Sequence, residues 1–324
     1  MNNADSSRFA SQMLAELRPL WRIAWPLLIA QTAQIGTGVV DTLMAGNYGD
    51  IDLAAIAVGF NIWLPLYLII LGTLFACSAI VAQDFGAGRT ERVRSFLPQG
   101  LWVAVALSAV MTPLYLNSDI AIALLGLPAE TAAKASAYVS RVGLGFPALG
   151  IFMALRYHTQ GLGITAPFAF ASVVGFIANV PLNYMLIFGA WGAPELGAEG
   201  CGLATAASMW ISTLIILLYV LTARSLQPYL PNRWFERPDW GRISEILVVG
   251  FPVGLTFFLE TGVFSAITLL IATLGDAAVA ARRVGRVSLC LQPRLDFCHL
   301  SVDGLHLGRV AQQLLGRRLG GGSG

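Results

Sequence analysis

The sequence predicts an all-α polytopic membrane protein, and three observations carry that expectation. Of 324 residues, 56% are hydrophobic and only 12% charged, about half the charge of a soluble domain. The apolar residues fall in seven runs, each long enough to cross a hydrocarbon core of about 30 Å as a helix. The connections hold nearly all the charge, and its character alternates from one connection to the next. A net charge of +2 points to no nucleic-acid partner, and four scattered cysteines (77, 201, 290 and 298) are too few for a disulfide framework.

Residues 1–19 are polar and read as a cytoplasmic N-terminal segment. The first run, 21–46, is too long for a signal peptide and lacks a small-residue cleavage site, so it reads as an uncleaved first span. The other runs occupy 53–82, 97–116, 135–157, 164–189, 200–222 and 244–274, while 117–127 reads as an extracytoplasmic amphipathic segment. Arg8, Arg18 and Arg22 precede or open the first span. The second connection, DFGAGRTERVRS, holds Arg89, Arg92 and Arg94, and Arg156 flanks the fourth. The sixth, RSLQPYLPNRWFERPDWGR, holds four arginines. The first connection carries Asp50 and Asp52, the fifth Glu195 and Glu199, and the third is mixed, with Glu130, Lys134 and nearby Arg141. The positive-inside rule then places the N-terminus and the even connections in the cytoplasm.

The sequence also repeats. At an offset of 226, Trp25–Gly59 falls on Phe251–Gly285 with ten of 35 positions identical, including Pro26/Pro252, Gly36/Gly262 and the turn pair Gly49-Asp50/Gly275-Asp276. Both copies start on the same side, so the repeat is parallel and implies two six-helix halves. The expected organisation is a six-helix N-terminal lobe over 20–222, a cytoplasmic inter-lobe loop over 223–243, and the first helix of a second lobe over 244–281. Residues 282–324 read as an aberrant non-membrane tail, expected to be disordered. The repeat predicts a second span over 279–308, yet that stretch holds Arg282, Arg283, Arg286, Arg294, Asp296 and Asp303. Seven of the 20 basic residues fall in the last 43. Truncation with an unrelated tail or, preferably, a reading-frame shift is the expected origin; apolar spans in another frame past codon 281 would support the shift, and their absence would sink it.

Two acids stand inside the spans. Asp41 lies in IGTGVVDTLMAGNYGD, and Glu260 is the lone ionisable group of Phe251–Leu274. Such an acid costs about 2.5–3.5 kcal/mol or more to insert. Under the repeat Glu260 falls on Gln34, seven residues before Asp41, so the two acids share a helix face at depths about 10 Å apart. Buried acids facing a cavity bind cations or protons, though a carboxylate bonded inside the bundle serves structure alone. The fifth span carries Asn179 and Asn183, four apart on one face, and Pro181, which frees a backbone carbonyl. These groups suit either a cation or interhelical hydrogen bonding. Thr205, in the small-residue run GCGLATAAS, adds a hydroxyl. Pro26 and Pro252 sit near the starts of matching helices and, with Pro181, are candidate hinge or kink positions. His158 reads as interfacial. No metal-ligand spacing, P-loop lysine or nucleophile–base arrangement occurs, so no enzyme is expected.

The stretches WPLLIAQTAQIGTGVVDTLMAGNYGDIDLAAIAVG, GAGR, YHTQGLG, NVPLNYMLIFG and GFPVGLTFFLE resemble the NorM branch of the multidrug and toxic-compound extrusion (MATE) transporters. The resemblance runs in order over about residues 12–281. It implies a twelve-helix antiporter of the bacterial inner membrane that exports cationic or amphiphilic drugs in exchange for Na⁺ or H⁺. Asp41, Glu260, Asn179, Asn183 and Thr205 match the family's cation- and substrate-binding positions. Beyond the coupling ion, with Na⁺ at Asp41 or Glu260 the only metal, no cofactor is implied, and beyond the lipid bilayer and the drugs no obligate partner. Helices eight to twelve have no counterpart here. An inactive transporter fragment, or a relative that flips lipid-linked precursors, are the alternatives. The flippase would want basic residues lining its spans, which are almost absent. A seven-helix photoreceptor would want a lysine in the seventh span, whereas the single lysine is Lys134.

Overall fold

The computed structural model describes residues 3–272, apart from 232 and 235, with side chains from Trp21 to Leu270. The segment 273–281 and the expected tail over 282–324 lie outside the described residues. Within them the chain forms nine α-helices and no strand: α1 (Asn3–Tyr48), α2 (Asp50–Gly86), α3 (Thr90–Leu116), α4 (Asp119–Ala123), α5 (Ala129–Gly143), α6 (Phe146–Gly161), α7 (Ala166–Phe188), α8 (Ala198–Thr222) and α9 (Trp240–Ala272). Six of them are long and apolar enough to cross a bilayer, and the bent pair α5–α6 passes the same test of length and composition when taken together, for up to seven. Short α4 occupies the amphipathic 117–127 segment, burying Ile122 and exposing Ile120 and Leu124.

The fourth span departs from expectation. Instead of one helix over 135–157, α5 and α6 meet at 45°. Pro147, in the first turn of α6, has no N–H to offer the carbonyl four residues back, so the helix ladder breaks there. The glycines on either side let neighbours close in on the bend. A Cβ on Gly143 would lie 2.7 Å from Tyr115 Cβ, and one on Gly145 would lie 2.9 Å from Ala206 Cα. Aromatic side chains fill the corner: the Tyr115 and Phe146 rings lie 4.1 Å apart, and the Tyr115 hydroxyl donates to the Trp63 carbonyl at 3.1 Å.

α2 is the axis of the bundle, with α1, α3, α5, α6 and α9 packed against it. In lipid, burying apolar area adds little drive, so small residues and interhelical hydrogen bonds must hold such helices together. Gly161 shows the first device: a Cβ there would lie 2.8 Å from both the Ser78 carbonyl and Val81. That contact draws the end of α6 into the bundle, and it corrects two expectations. His158 is buried rather than interfacial, and Arg156, expected to flank a connection, is also buried, with its guanidinium 3.7 Å over the Phe168 ring.

At the end carrying the acidic first and fifth connections, Asp52 ties three helices. Its Oδ2 accepts from Lys134 Nζ at 2.8 Å, and its Oδ1 accepts from the Ala198 backbone N–H at 2.8 Å, capping α8. Asp52 is nearly buried, and Lys134 is a third exposed. Removing the carboxylate orphans the Ala198 N–H and leaves Lys134 only Glu130, 3.5 Å away. Asp52→Ala should therefore destabilise the protein by about 2–3 kcal/mol, read as a lower thermal midpoint in detergent, with Lys134→Met costing less.

Candidate cation site

Three helices converge on Asp41. α7 lies between α1 and α8, and glycines set its approach to both. A Cβ on Gly175 would strike Ser212 Oγ of α8, and one on Gly36 of α1 would lie 3.1 Å from the Phe176 ring. The four-residue spacing of Asn179 and Asn183 puts both amides on the α7 face turned into this packing, where each is 0% exposed. Asp41, 5% exposed, faces them from α1, and Thr205, 6% exposed, faces them from α8.

Their hydrogen bonds form one connected group. Asn183 Nδ2 donates to Asp41 Oδ1 at 2.6 Å and to Asn179 Oδ1 at 2.8 Å. Thr205 Oγ1 donates to Asp41 Oδ2 at 3.3 Å. An amide and a hydroxyl thus meet the carboxylate, an arrangement suited to its ionised form, which only accepts. Two buried atoms beside it have no hydrogen-bond partner: Asn183 Oδ1 and Asn179 Nδ2. A partnerless buried amide oxygen is costly in a low-dielectric interior. The set comprises a carboxylate, two amide oxygens and a hydroxyl, all hard oxygen donors of the kind Na⁺ takes.

The four residues Asp41, Asn179, Asn183 and Thr205 are therefore one cluster. Glu260 is not part of it. It lies exposed on α9, without a hydrogen bond or ion pair among the described residues. α1, α7 and α9 run unbroken through Pro26, Pro181 and Pro252, and the sharp bend falls between α5 and α6. Sequence reasoning missed the Asp52–Lys134 tie and a second one, Arg92–Glu245. Their partners stand 82 and 153 residues apart, so no local pattern signals them.

Residues 26–185 match the MatE family model. The chain carries a MATE-family domain. It is 38% identical over 272 residues to "Multidrug resistance protein MdtK" of Yersinia pestis, covering 84% of this chain and 60% of that protein. It is 35% identical over 269 residues to "Probable multidrug resistance protein NorM" of Acinetobacter baylyi, covering 83% and 60%. Among solved structures, the "MATE transporter NorM-NG", held in complex with a small molecule and a monobody, superposes with a TM-score of 0.66 at 33% identity, over 82% of this chain and 58% of that one. The chain thus spans about 60% of the length of the curated relatives it matches. Its apolar spans and bacterial relatives make it a multi-pass protein of the bacterial inner membrane.

Proposed function

We propose that this chain supplies the N-terminal lobe, and the first helix of a second, of a cation-coupled multidrug antiporter that exports cationic or amphiphilic compounds by alternating access. The observation that carries the reading is the buried Asp41–Asn183–Asn179–Thr205 group with its two partnerless amide atoms. With Asp41 ionised, Asn183 must donate to it, which leaves Asn183 Oδ1 without a partner. A Na⁺ at the carboxylate gives that oxygen a positive charge to face. A proton on Asp41 gives the carboxyl a donor, which an Asn183 amide turned by 180° would accept. Either event removes the net charge from a low-dielectric site. A conformation that buries the cluster more deeply then becomes accessible, and this differential binding is what couples an ion to a conformational equilibrium. The names of the relatives, and the small-molecule complex of one solved relative, support drug-sized compounds as cargo.

A second reading, an inactive fragment, is favoured by Glu260, an acid within a span that lies exposed on α9 and outside the cluster. One experiment separates the two. Proteoliposomes holding the purified chain are loaded with ethidium, and efflux is followed with an inward sodium gradient, an inward proton gradient, and neither. Transport predicts efflux that depends on one gradient; release at the rate of empty liposomes under all three conditions leaves the fragment reading.

A further inference from the structure

The connection between α8 and α9 is sewn onto α3. Arg94 Nε donates to the Pro228 carbonyl at 2.6 Å, and Trp102 Nε1 donates to the Glu236 carbonyl at 2.9 Å. The Gln99 amide donates to the Arg237 carbonyl at 3.2 Å and accepts from the Asp239 N–H at 2.8 Å. Asp239 in turn opens α9, its side chain accepting from the Gly241 N–H at 2.9 Å and its carbonyl from the Ile243 N–H at 2.9 Å. The start of α9 is therefore held to α3 through backbone groups.

Farther along, α9 crosses α2 antiparallel with backbone against backbone. A Cβ on Gly72 would strike the Gly254 backbone, one on Gly250 would strike the Thr73 carbonyl, and one on Gly254 would lie 2.7 Å from the Ile69 carbonyl. GFPVG is the small-xxx-small spacing that permits such an approach. Between this crossing and the helix start lies a charge cluster. Arg92 Nε, at the start of α3, lies 3.2 Å from Asp84 Oδ2 at the end of α2, and its terminal nitrogen lies 3.3 Å from Glu245 Oε2 on α9. Arg89 adds a contact of 3.5 Å to Asp84. The Asp84 side chain is 5% exposed, whereas those of Arg92 and Glu245 are 42% and 39% exposed.

We propose that Asp84, Arg92 and Glu245 form a latch holding α9 to the α2–α3 turn in one of two arrangements of the molecule, with the glycine crossing as its fulcrum. The device rests on the transport reading for its purpose, but not for its geometry. Glu245 stands nine residues from Gly254, about 13 Å along the helix. A tilt of about 15°, the size of the haemoglobin subunit rotation, moves it by about 3–4 Å, enough to part the pair, and carries the helix start about 6 Å, so the Gln99 bonds to Arg237 and Asp239 part with it. A half-exposed ion pair is weak by itself, which suits a contact made and broken in each cycle. Buried Asp84 keeps Arg92 partnered when Glu245 leaves, so opening strands no buried charge.

The test uses the full chain in liposomes, with native cysteines replaced by alanine and spin labels at Gln83→Cys and Ser244→Cys, both exposed. The parent is expected to show one narrow distance distribution. Glu245→Arg should broaden it and lengthen it by about 3 Å or more. Arg92→Ala and Glu245→Ala should each broaden it, and the double variant no further than either single one. A Glu245→Arg distribution matching the parent, or a double variant that opens beyond both singles, overturns the latch. Ethidium efflux by the parent is measured alongside. Its absence sinks the transport reading, while the distances still decide the latch.

Discussion

Asp41→Asn is expected to reduce gradient-driven ethidium efflux to that of empty liposomes while leaving the protein inserted and nearly as stable as before. The substitution keeps the volume of the side chain and removes its charge and its capacity to bind a proton or Na⁺. In the folded protein Asp41 accepts from Asn183 at 2.6 Å and from Thr205 at 3.3 Å. An asparagine still accepts through its own oxygen, and turning the Asn183 amide accommodates its NH₂, so the expected stability change is within about 1 kcal/mol. Loss of efflux together with loss of folding would instead mark Asp41 as structural. Efflux that survives with its gradient dependence intact would remove Asp41 from the coupling site. Asn183→Leu should do worse on both counts, because it strips Asp41 of the 2.6 Å hydrogen bond from Asn183 and sets an apolar group against the carboxylate.

Gly254→Leu is expected to destabilise the protein markedly. The α2–α9 crossing has no room for a side chain, since a Cβ on Gly254 would already lie 2.7 Å from the Ile69 carbonyl and 3.0 Å from Thr73 Oγ1. The helices must separate toward the usual 8–10 Å interaxial distance, and backbone contacts are lost along the seam. Overpacking of this kind costs about 1–3 kcal/mol, read as a lower thermal midpoint and faster proteolysis of the connection between α8 and α9. Gly262→Leu, on the same helix with nothing within 4 Å of its Cβ, is the control and should leave both unchanged. Equal destabilisation at the two positions would show that the crossing does not set the cost, since helix propensity by itself favours leucine over glycine.

Much of the fold is legible in the sequence because bilayer thickness imposes it. Only helices and closed barrels satisfy their backbone in hydrocarbon, and apolar runs of about 20 residues, rather than short alternating strands, had to be helices; helices occupy all seven. The fourth reads as straight and is not. Hydropathy is blind to a bend, and the signal, Gly143 and Gly145 followed by Pro147, looks like any small-residue stretch until Tyr115 and Ala206 are seen filling its corner. The unexpected burial of Arg156 and His158 has a related cause: charge marks a loop only where the helix ends at the surface, and Gly161 pulls this end against α2.

The candidate site divides along the same line. The sequence by itself determined the chemistry: an acid in the first span, two amides four apart on one helix face, and a hydroxyl among small residues. Periodicity fixes which residues share a face of one helix, because 3.6 residues per turn is a local property of the backbone. Only the tertiary structure decided that Asp41, Asn179, Asn183 and Thr205 meet in one hydrogen-bonded group while Glu260 stands apart on α9. It also decided that Asp52 finds Lys134 and that Arg92 finds Glu245. Which helix faces come together depends on packing between segments far apart in the chain, through contacts such as Gly175 on Ser212 and Gly72 on Gly254. No local pattern encodes those contacts.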